Sequence, residues 1–467
     1  MDNCGERSPA GPGEMSFEGQ DRRGGNYRGE VDGLRAIAVI AVMAFHARLQ
    51  GFGGGYTGVD IFFVISGYLI TGIIAREIEH GHFTFRAFYL RRVLRILPAL
   101  LFVLTACVPL ALLVPDPALT KTFGSALAAA LAFCANFYFW SIPAGYFAPQ
   151  VHDIPLVHLW SLAVEEQFYL IYPLALAILY KFARRWLVTF IVTAATASLG
   201  LSEFASLYMP SANFFMLPTR AWEMLAGATV ALTDKAWRGV LPKWVDECMA
   251  AGALAVIGWT IWTYTSNTRF PGLSALPVVL ATMLLLRFAR PEGPVGALIG
   301  SAPLRGIGVI SYSAYLWHQP LLAFSRISLI NDVGATASSV LLLLAFVLAW
   351  GTWHFVEVPF RRDPRLRRPR VLFAGVALGA ALFATGVGFW MSNGVPQRFD
   401  DRHLKLMAMG RVEAERELPC FFTPGSDRSF EQSCAVGEGD PAKVAVLGDS
   451  HAAAIMPAGH SPGRPST

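Results

Sequence analysis

Charge is scarce in this chain. Only 15% of its 467 residues are Asp, Glu, Lys or Arg, while 54% are hydrophobic. A soluble domain carries about 25% charge, so a free-standing soluble enzyme is excluded. The formal net charge of +5 is small. No basic module interleaved with aromatics occurs, which excludes a nucleic-acid surface. Cysteine is sparse as well: the six present do not make a disulfide scaffold. Cys107, Cys134 and Cys248 lie in or beside apolar segments. Cys420 and Cys434 lie together in a polar C-terminal stretch, where a disulfide requires an extracytoplasmic setting. Residues 1–26 lack the apolar core of a signal peptide. They are expected to form a disordered cytoplasmic tail with no cleavable leader. No metal centre is expected. No internal repeat is visible, which counts against a repeat-built transporter.

What the chain has in abundance is apolar runs near 20 residues, and mean hydropathy is +0.45. Candidate spans fall at about 34–49, 57–78, 93–114, 158–180, 187–207, 214–233, 248–265, 272–288, 303–324, 336–357 and 371–391. A further apolar stretch, 124–140, is ambiguous. Basic loops lie at 86–95, 181–185, 235–243, 287–290 and 361–370. Arg and Lys concentrate on the cytoplasmic side. With the N-terminus inside, all five basic loops fall inside only if 124–140 does not cross. The expected fold is therefore an all-α polytopic membrane protein of about eleven transmembrane helices, with the C-terminus extracytoplasmic, followed by the start of an α/β domain.

The first span organises the rest. Its sequence, LRAIAVIAVMAFHARL at 34–49, carries Arg35 and His46. Eleven residues make about three turns, so the two share a face about 16 Å apart along the axis. Ionisable groups inside a membrane helix face a protein interior or a wet cavity. His46 reads as a general base or proton relay and Arg35 as an anion binder. The competing reading has each snorkelling to its nearer interface. In the second span Asp60 is expected to pair with His46 and fix its tautomer. Ser66 and Gly67 read there as helix-packing residues. Arg91, Arg92 and Arg95 open the third span as positive-inside anchors. Arg92 and Arg95, at i and i+3, also share a face suited to phosphates.

In HLWSLAVEEQFY at 158–169, His158, Ser161 and Glu165 share one face. Glu165 and Glu166 put two carboxylates at the head of a span and read as functional. Trp160 and Tyr169 read as interfacial anchors. Arg220 and Glu223 read as a structural ion pair between turns. Tyr315 and His318 share a face and read as ligand-site groups, although a histidine among aromatics is as often structural.

Taken in order, Arg35-x10-His46, GVDIFFVISGYLI (58–70), RRVLRILP (91–98), HLWSLAVEEQFYLIYP (158–173), RAWEMLAGA (220–228), SYSAYLWHQP (311–320) and VEVPFRR (356–362) resemble the membrane acyltransferase-3 family over about residues 27–366. VAVLGDSHAAA at 444–454 resembles the first block of an SGNH hydrolase domain. That fusion occurs in bacterial O-acetylases of lipopolysaccharide O-antigen and other surface glycans. The resemblance implies transfer of an acyl group, usually acetyl, from cytoplasmic acetyl-CoA to a hydroxyl of an extracytoplasmic polysaccharide or lipid-linked glycan. It implies no permanently bound cofactor and a multi-pass location in the bacterial cytoplasmic (inner) membrane.

The resemblance makes Arg35 and His46 required residues and puts Arg92 and Arg95 on the donor side. The mechanism expected from it has Arg92 and Arg95 pairing with CoA phosphates. His46, oriented by Asp60 or Glu165, accepts a proton from the acceptor hydroxyl, and Glu166 joins this catalytic set. His158, Ser161, Tyr315 and His318 contact substrate. Either direct transfer or an acyl-enzyme fits.

The expected layout is a membrane domain at 27–366, an additional transmembrane helix at 367–395, an extracytoplasmic linker at 396–442 and the SGNH-like start at 443–467. The oxyanion-hole Gly and Asn and the later Asp-x-x-His of an SGNH domain do not follow Ser450. About 25 residues of an α/β domain bury no core. Ser450 is therefore expected to be the nucleophile of a truncated, inert SGNH part. The rival expectations are a polytopic transporter of a glycan or small molecule, and a non-catalytic remnant.

Overall fold

Backbone groups in a bilayer find no water, so each apolar run closes its hydrogen bonds internally as a helix. The computed structural model describes residues 27–142, 145–147, 153–237, 241–328 and 334–404, and among these there is no strand. The helices, in order, are α1 (Gly29–His46), α2 (Gly58–Glu79), α3 (Phe85–Leu113), α4 (Pro117–Leu131), α5 (Ala135–Trp140), α6 (Leu159–Phe182), α7 (Leu187–Tyr208) and α8 (Pro210–Phe215). They continue with α9 (Leu217–Trp237), α10 (Lys243–Thr263), α11 (Leu276–Phe288), α12 (Pro294–Ile299), α13 (Ala302–Ser328), α14 (Ala335–Thr352), α15 (Val358–Arg362) and α16 (Pro369–Met391). The protein is an all-α, multi-pass membrane protein.

Each of the eleven expected spans coincides with a helix. Among the described residues, seven helical stretches are long and apolar enough to cross a membrane by themselves. The long helices α1, α9 and α13 are not among them, because they carry the polar residues of the interior. In α2, 61% of the most apolar stretch is buried, against 17% in α14 with α15 and 11% in α16, so these last run along the lipid face. The 124–140 stretch is two pieces, α4 and α5, broken where Phe133 takes φ 53°. The 15 residues of α4 rise about 22 Å, short of a bilayer core of about 30 Å.

Close helix contact sets the frame. A Cβ on Gly67 of α2 would stand 1.8 Å from the Met224 carbonyl of α9, and one on Gly227 of α9 would stand 1.9 Å from the Val64 carbonyl of α2. Only glycine lets the two backbones meet at this distance. Helix α1 packs most extensively on α13 and then on α2. This places α1 between two helices of the bundle rather than against lipid.

The stretch expected as an irregular linker begins differently. Arg398 donates to the carbonyls of Ala111 (3.4 Å), Leu112 and Val114 (3.0 Å), and to Thr120 Oγ1 (2.6 Å). It thereby caps the C-terminal end of α3 and docks residues 396–404 on the α3–α4 corner. Residues 405–467 lie outside the described residues, as do Cys420, Cys434, Ser450 and the 1–26 tail.

Candidate active site

Two polar clusters occupy the two ends of α1. At its N-terminal end Arg35 meets Asp32 at 3.4 Å, and Asp32 also accepts the Tyr27 hydroxyl at 2.8 Å. Arg35 lines an open cavity of about 860 Å³ of atom-free space, its mouth included. Arg92 and Arg95 of α3 line the same cavity. Both are partly buried. Among the described residues neither makes a hydrogen bond or an ion pair; Arg92 lies over the Tyr169 ring at 5.5 Å and the Phe88 ring at 5.8 Å. Two guanidiniums with no direct ion-pair partner among the described residues, in a partly dry wall that also carries Glu165, are a ready site for an anion. The rest of the wall is largely apolar, from Val59, Phe62, Phe63, Leu69 and Leu162.

The cavity's far wall carries Ser161 and Tyr315, whose hydroxyls bond at 2.7 Å. The Tyr315 hydroxyl also donates to the His158 carbonyl at 2.8 Å. Tyr315 therefore joins the cavity to the second cluster. His158 and His318 stack edge to face with ring centres 5.3 Å apart. His158 is buried, and neither ring nitrogen makes a well-formed hydrogen bond. His318 Nε2 lies 2.9 Å from His46 Nδ1, and His46 Nε2 lies 2.8 Å from the Tyr146 hydroxyl.

One partner fixes the protons along this chain. His318 Nδ1 faces the Tyr315 carbonyl at 2.6 Å. A carbonyl only accepts, so Nδ1 carries the proton and a neutral His318 offers Nε2 as an acceptor. His46 then donates from Nδ1 and keeps a lone pair on Nε2. The basic nitrogen of His46 is thus Nε2, and the Tyr146 hydroxyl is hydrogen-bonded to it.

The pairing of Asp60 with His46 is corrected. Asp60 meets Arg220 at 3.3 Å, and Arg220 also meets Glu223 at 3.2 Å. All three are buried to within 1%. Asp60 sits in the first turn of α2, where the tight Gly67–Gly227 approach turns it toward α9 instead of α1. The expected Arg220–Glu223 ion pair is present and gains Asp60 as a third member. Phe63, Trp160, Phe214 and Phe270 surround the Arg220 guanidinium at 5.3 to 5.7 Å.

Glu165 does not orient His46 either. It accepts hydrogen bonds from Ser66 (2.5 Å) and from Tyr169, inside the cavity. Ser66 is accordingly a cavity residue rather than a packing residue, and Tyr169 is buried rather than an interfacial anchor. Glu166 keeps one buried oxygen without a partner and lines no part of the cavity.

Two parts escaped the sequence reading. Tyr146 lies in a loop, where no helical period announces it. Its ring stacks on Phe214 at 4.2 Å, which holds the hydroxyl over His46. Glu357 accepts from Ser313 and from Arg361, each at 2.5 Å. The run VEVPFRR carried these residues, but nothing in its spacing pointed them inward.

Residues 28–355 match the family described as Acyltransferase domain, of the acyltransferase-3 type. The chain belongs to this family. It is 29% identical over 350 residues to peptidoglycan O-acetyltransferase OatA of Listeria monocytogenes, covering 72% of this chain and 56% of that protein. It is 32% identical over 347 residues to a Bacillus subtilis protein with the provisional name peptidoglycan O-acetyltransferase YrhL, covering 71% and 54%. The chain spans little more than half the length of these relatives. No solved structure matches it. Within the acyltransferase-3 family, the matched region takes in both clusters at the ends of α1.

Proposed function

We propose that this membrane O-acyltransferase carries an acyl group, acetyl in the simplest case, from cytoplasmic acyl-CoA to a hydroxyl of an extracytoplasmic glycan. The supporting observation is the division of α1. Arg92 and Arg95, neither in an ion pair among the described residues, share a cavity with Arg35 at one end, and a hydrogen-bonded imidazole chain ends on His46 Nε2 at the other. Membership of the acyltransferase-3 family supports this reading over a transporter.

In this reading the arginines hold the phosphates of CoA, and the pantetheine runs along the apolar wall toward Ser161 and Tyr315. An acceptor hydroxyl replaces the Tyr146 hydroxyl at His46 Nε2. His46 takes its proton, and the freed oxygen attacks the thioester carbonyl. The C–S bond breaks, and the CoA thiolate leaves and recovers the proton. His318 accepts from His46 Nδ1 and so keeps the lone pair on Nε2. Glu165, held by Ser66 and Tyr169, shapes the polar side of the cavity. The orientation follows the basic loops: N-terminus cytoplasmic, arginine end inward, histidine end toward the glycan. The membrane is the bacterial inner membrane. Relatives named for peptidoglycan make that polymer an acceptor to be tried beside lipopolysaccharide O-antigen.

The test is expression in cells lacking their own O-acetyltransferase, comparing the parent chain with His46→Ala. Acetyl esters on a surface glycan that appear with the parent and vanish with the variant support the proposal. A stably inserted parent that forms no ester on peptidoglycan or O-antigen, and releases no CoA from acetyl-CoA in proteoliposomes, overturns it.

A further inference from the structure

Helix α14 changes its winding where it meets the site. Its buried positions are Ser338, Ala345, Ala349 and Thr352, at steps of seven, four and three. A continuing α-helix would bring Val356 inward next. Instead Trp353–Glu357 forms a π-turn, which takes one residue more per turn. Glu357 is therefore the buried residue, five positions after Thr352. Pro359 is the local cause. It has no N–H to give to the carbonyl of residue 355, and its ring crowds that carbonyl, so the turn opens.

The displaced turn delivers a charge pair. One oxygen of Glu357 accepts from Ser313 of α13, next to the cavity residue Tyr312, and the other accepts from Arg361 of α15. Arg361 is held by a single bond rather than a two-pronged one. Its buried Nε has no partner. Both the π-turn and α15 pack on α3, the helix of Arg92 and Arg95. Arg361 lies near enough to Arg35 and Arg95 for their charges to interact. It does not line the cavity, and its side chain is 26% exposed, so it stands at the rim.

We infer that Arg361, held in place by Glu357, is a further donor-binding residue that takes the 3′-phosphate of the CoA thioester. The inference rests on the donor reading of Arg92 and Arg95. The order of groups along CoA supports the assignment. Thioester, pantetheine, pyrophosphate and 3′-phosphate follow one another, as do the far cavity wall, its apolar side, the cavity arginines and the rim. Glu357 is a positioning residue that acts through Arg361.

The experiment compares acetyl-CoA with acetyl-3′-dephospho-CoA in proteoliposomes of the full chain. Arg361→Gln is expected to raise KM for acetyl-CoA by about 10- to 100-fold, the worth of one charged hydrogen-bonded contact. It is expected to leave kcat nearly unchanged and to leave KM for the dephospho donor unchanged. Glu357→Gln is expected to show the same donor selectivity with a smaller rise. Should Arg361→Gln fail to fold, Arg361→Lys keeps the charge, loses the planar fork and is expected to raise KM for acetyl-CoA alone. Equal rises with both donors, or no rise, overturn the inference while leaving the general donor reading intact. A parent chain that releases no CoA from either donor defeats the broader proposal, and this inference with it.

Discussion

His46 and His318, 272 residues apart in the chain, meet at 2.9 Å between Nδ1 of the first and Nε2 of the second. This contact, with the Tyr315 carbonyl behind it, decides which nitrogen of His46 is basic. Replacing His318 by Phe removes the acceptor for His46 Nδ1–H. The expected result is a loss in kcat of about 10²- to 10⁴-fold, the usual worth of a positioned general base, with donor KM unchanged. Gln can accept the same proton through its carbonyl, so His318→Gln is expected to retain more activity than His318→Phe. Equal losses from the two would leave His318 a packing residue.

Among the described residues Arg92 and Arg95 make no hydrogen bond or ion pair in the cavity wall, so neutral replacements break no direct contact of that kind. Arg92→Gln and Arg95→Gln are each expected to raise donor KM by about 10- to 100-fold, the worth of a charged hydrogen bond or two, while the fold keeps its melting temperature. Initial-rate kinetics against acetyl-CoA, with thermal melts in detergent, checks both halves.

Asp60, Arg220 and Glu223 form a sealed cluster, with side chains buried to within 1%. Arg220→Met strands two carboxylates and is expected to cost about 3–5 kcal/mol of stability. Asp60→Asn is expected to change the melting temperature yet keep kcat within a few-fold. A folded Asp60→Asn protein with no activity would restore Asp60 to the catalytic set and refute the partnership described above.

The α2–α9 contact gives an internal control on one helix. A side chain at Gly67 would strike the Met224 carbonyl, whereas a Cβ at Gly72 would meet nothing within 4 Å. Gly67→Val is expected to lose at least about 1–3 kcal/mol through overpacking, or to prevent folding. Gly72→Ala is expected to be neutral or slightly stabilising, since it lowers the backbone entropy of the unfolded chain. Yields of monodisperse protein and thermal melts read both.

Much of this was legible because membrane helices write their lengths in apolar runs and their faces in a 3.6-residue period. Helical spacing grouped Ser161 with Glu165 and Arg92 with Arg95, and all four line the cavity. It grouped Tyr315 with His318, and they link the cavity to His46. The errors came where contact across the bundle decides. Asp60 is close to His46 in sequence, yet the glycine seam of α2 with α9 points it to Arg220. Ser66 precedes the packing glycine, and the 100° turn between them sends one to the cavity and the other to the seam. Tyr146 has no period to read. At Glu357 the period itself misleads, because a regular helix would have buried Val356.

The polarity of α1 also bears on how the molecule is assembled. This helix carries Glu30, Asp32, Arg35 and His46 and is not apolar enough to rest in lipid alone. It nevertheless leaves the ribosome before every other helix described here. Its best-packed partner, α13, follows more than 250 residues later. This helix must therefore be sheltered through most of synthesis, by α2 or by the insertion machinery. The lipid-facing helices α14 and α16, made after α13, have no such need. Failure of α13 to arrive would strand charge in the membrane and mark the nascent chain for removal.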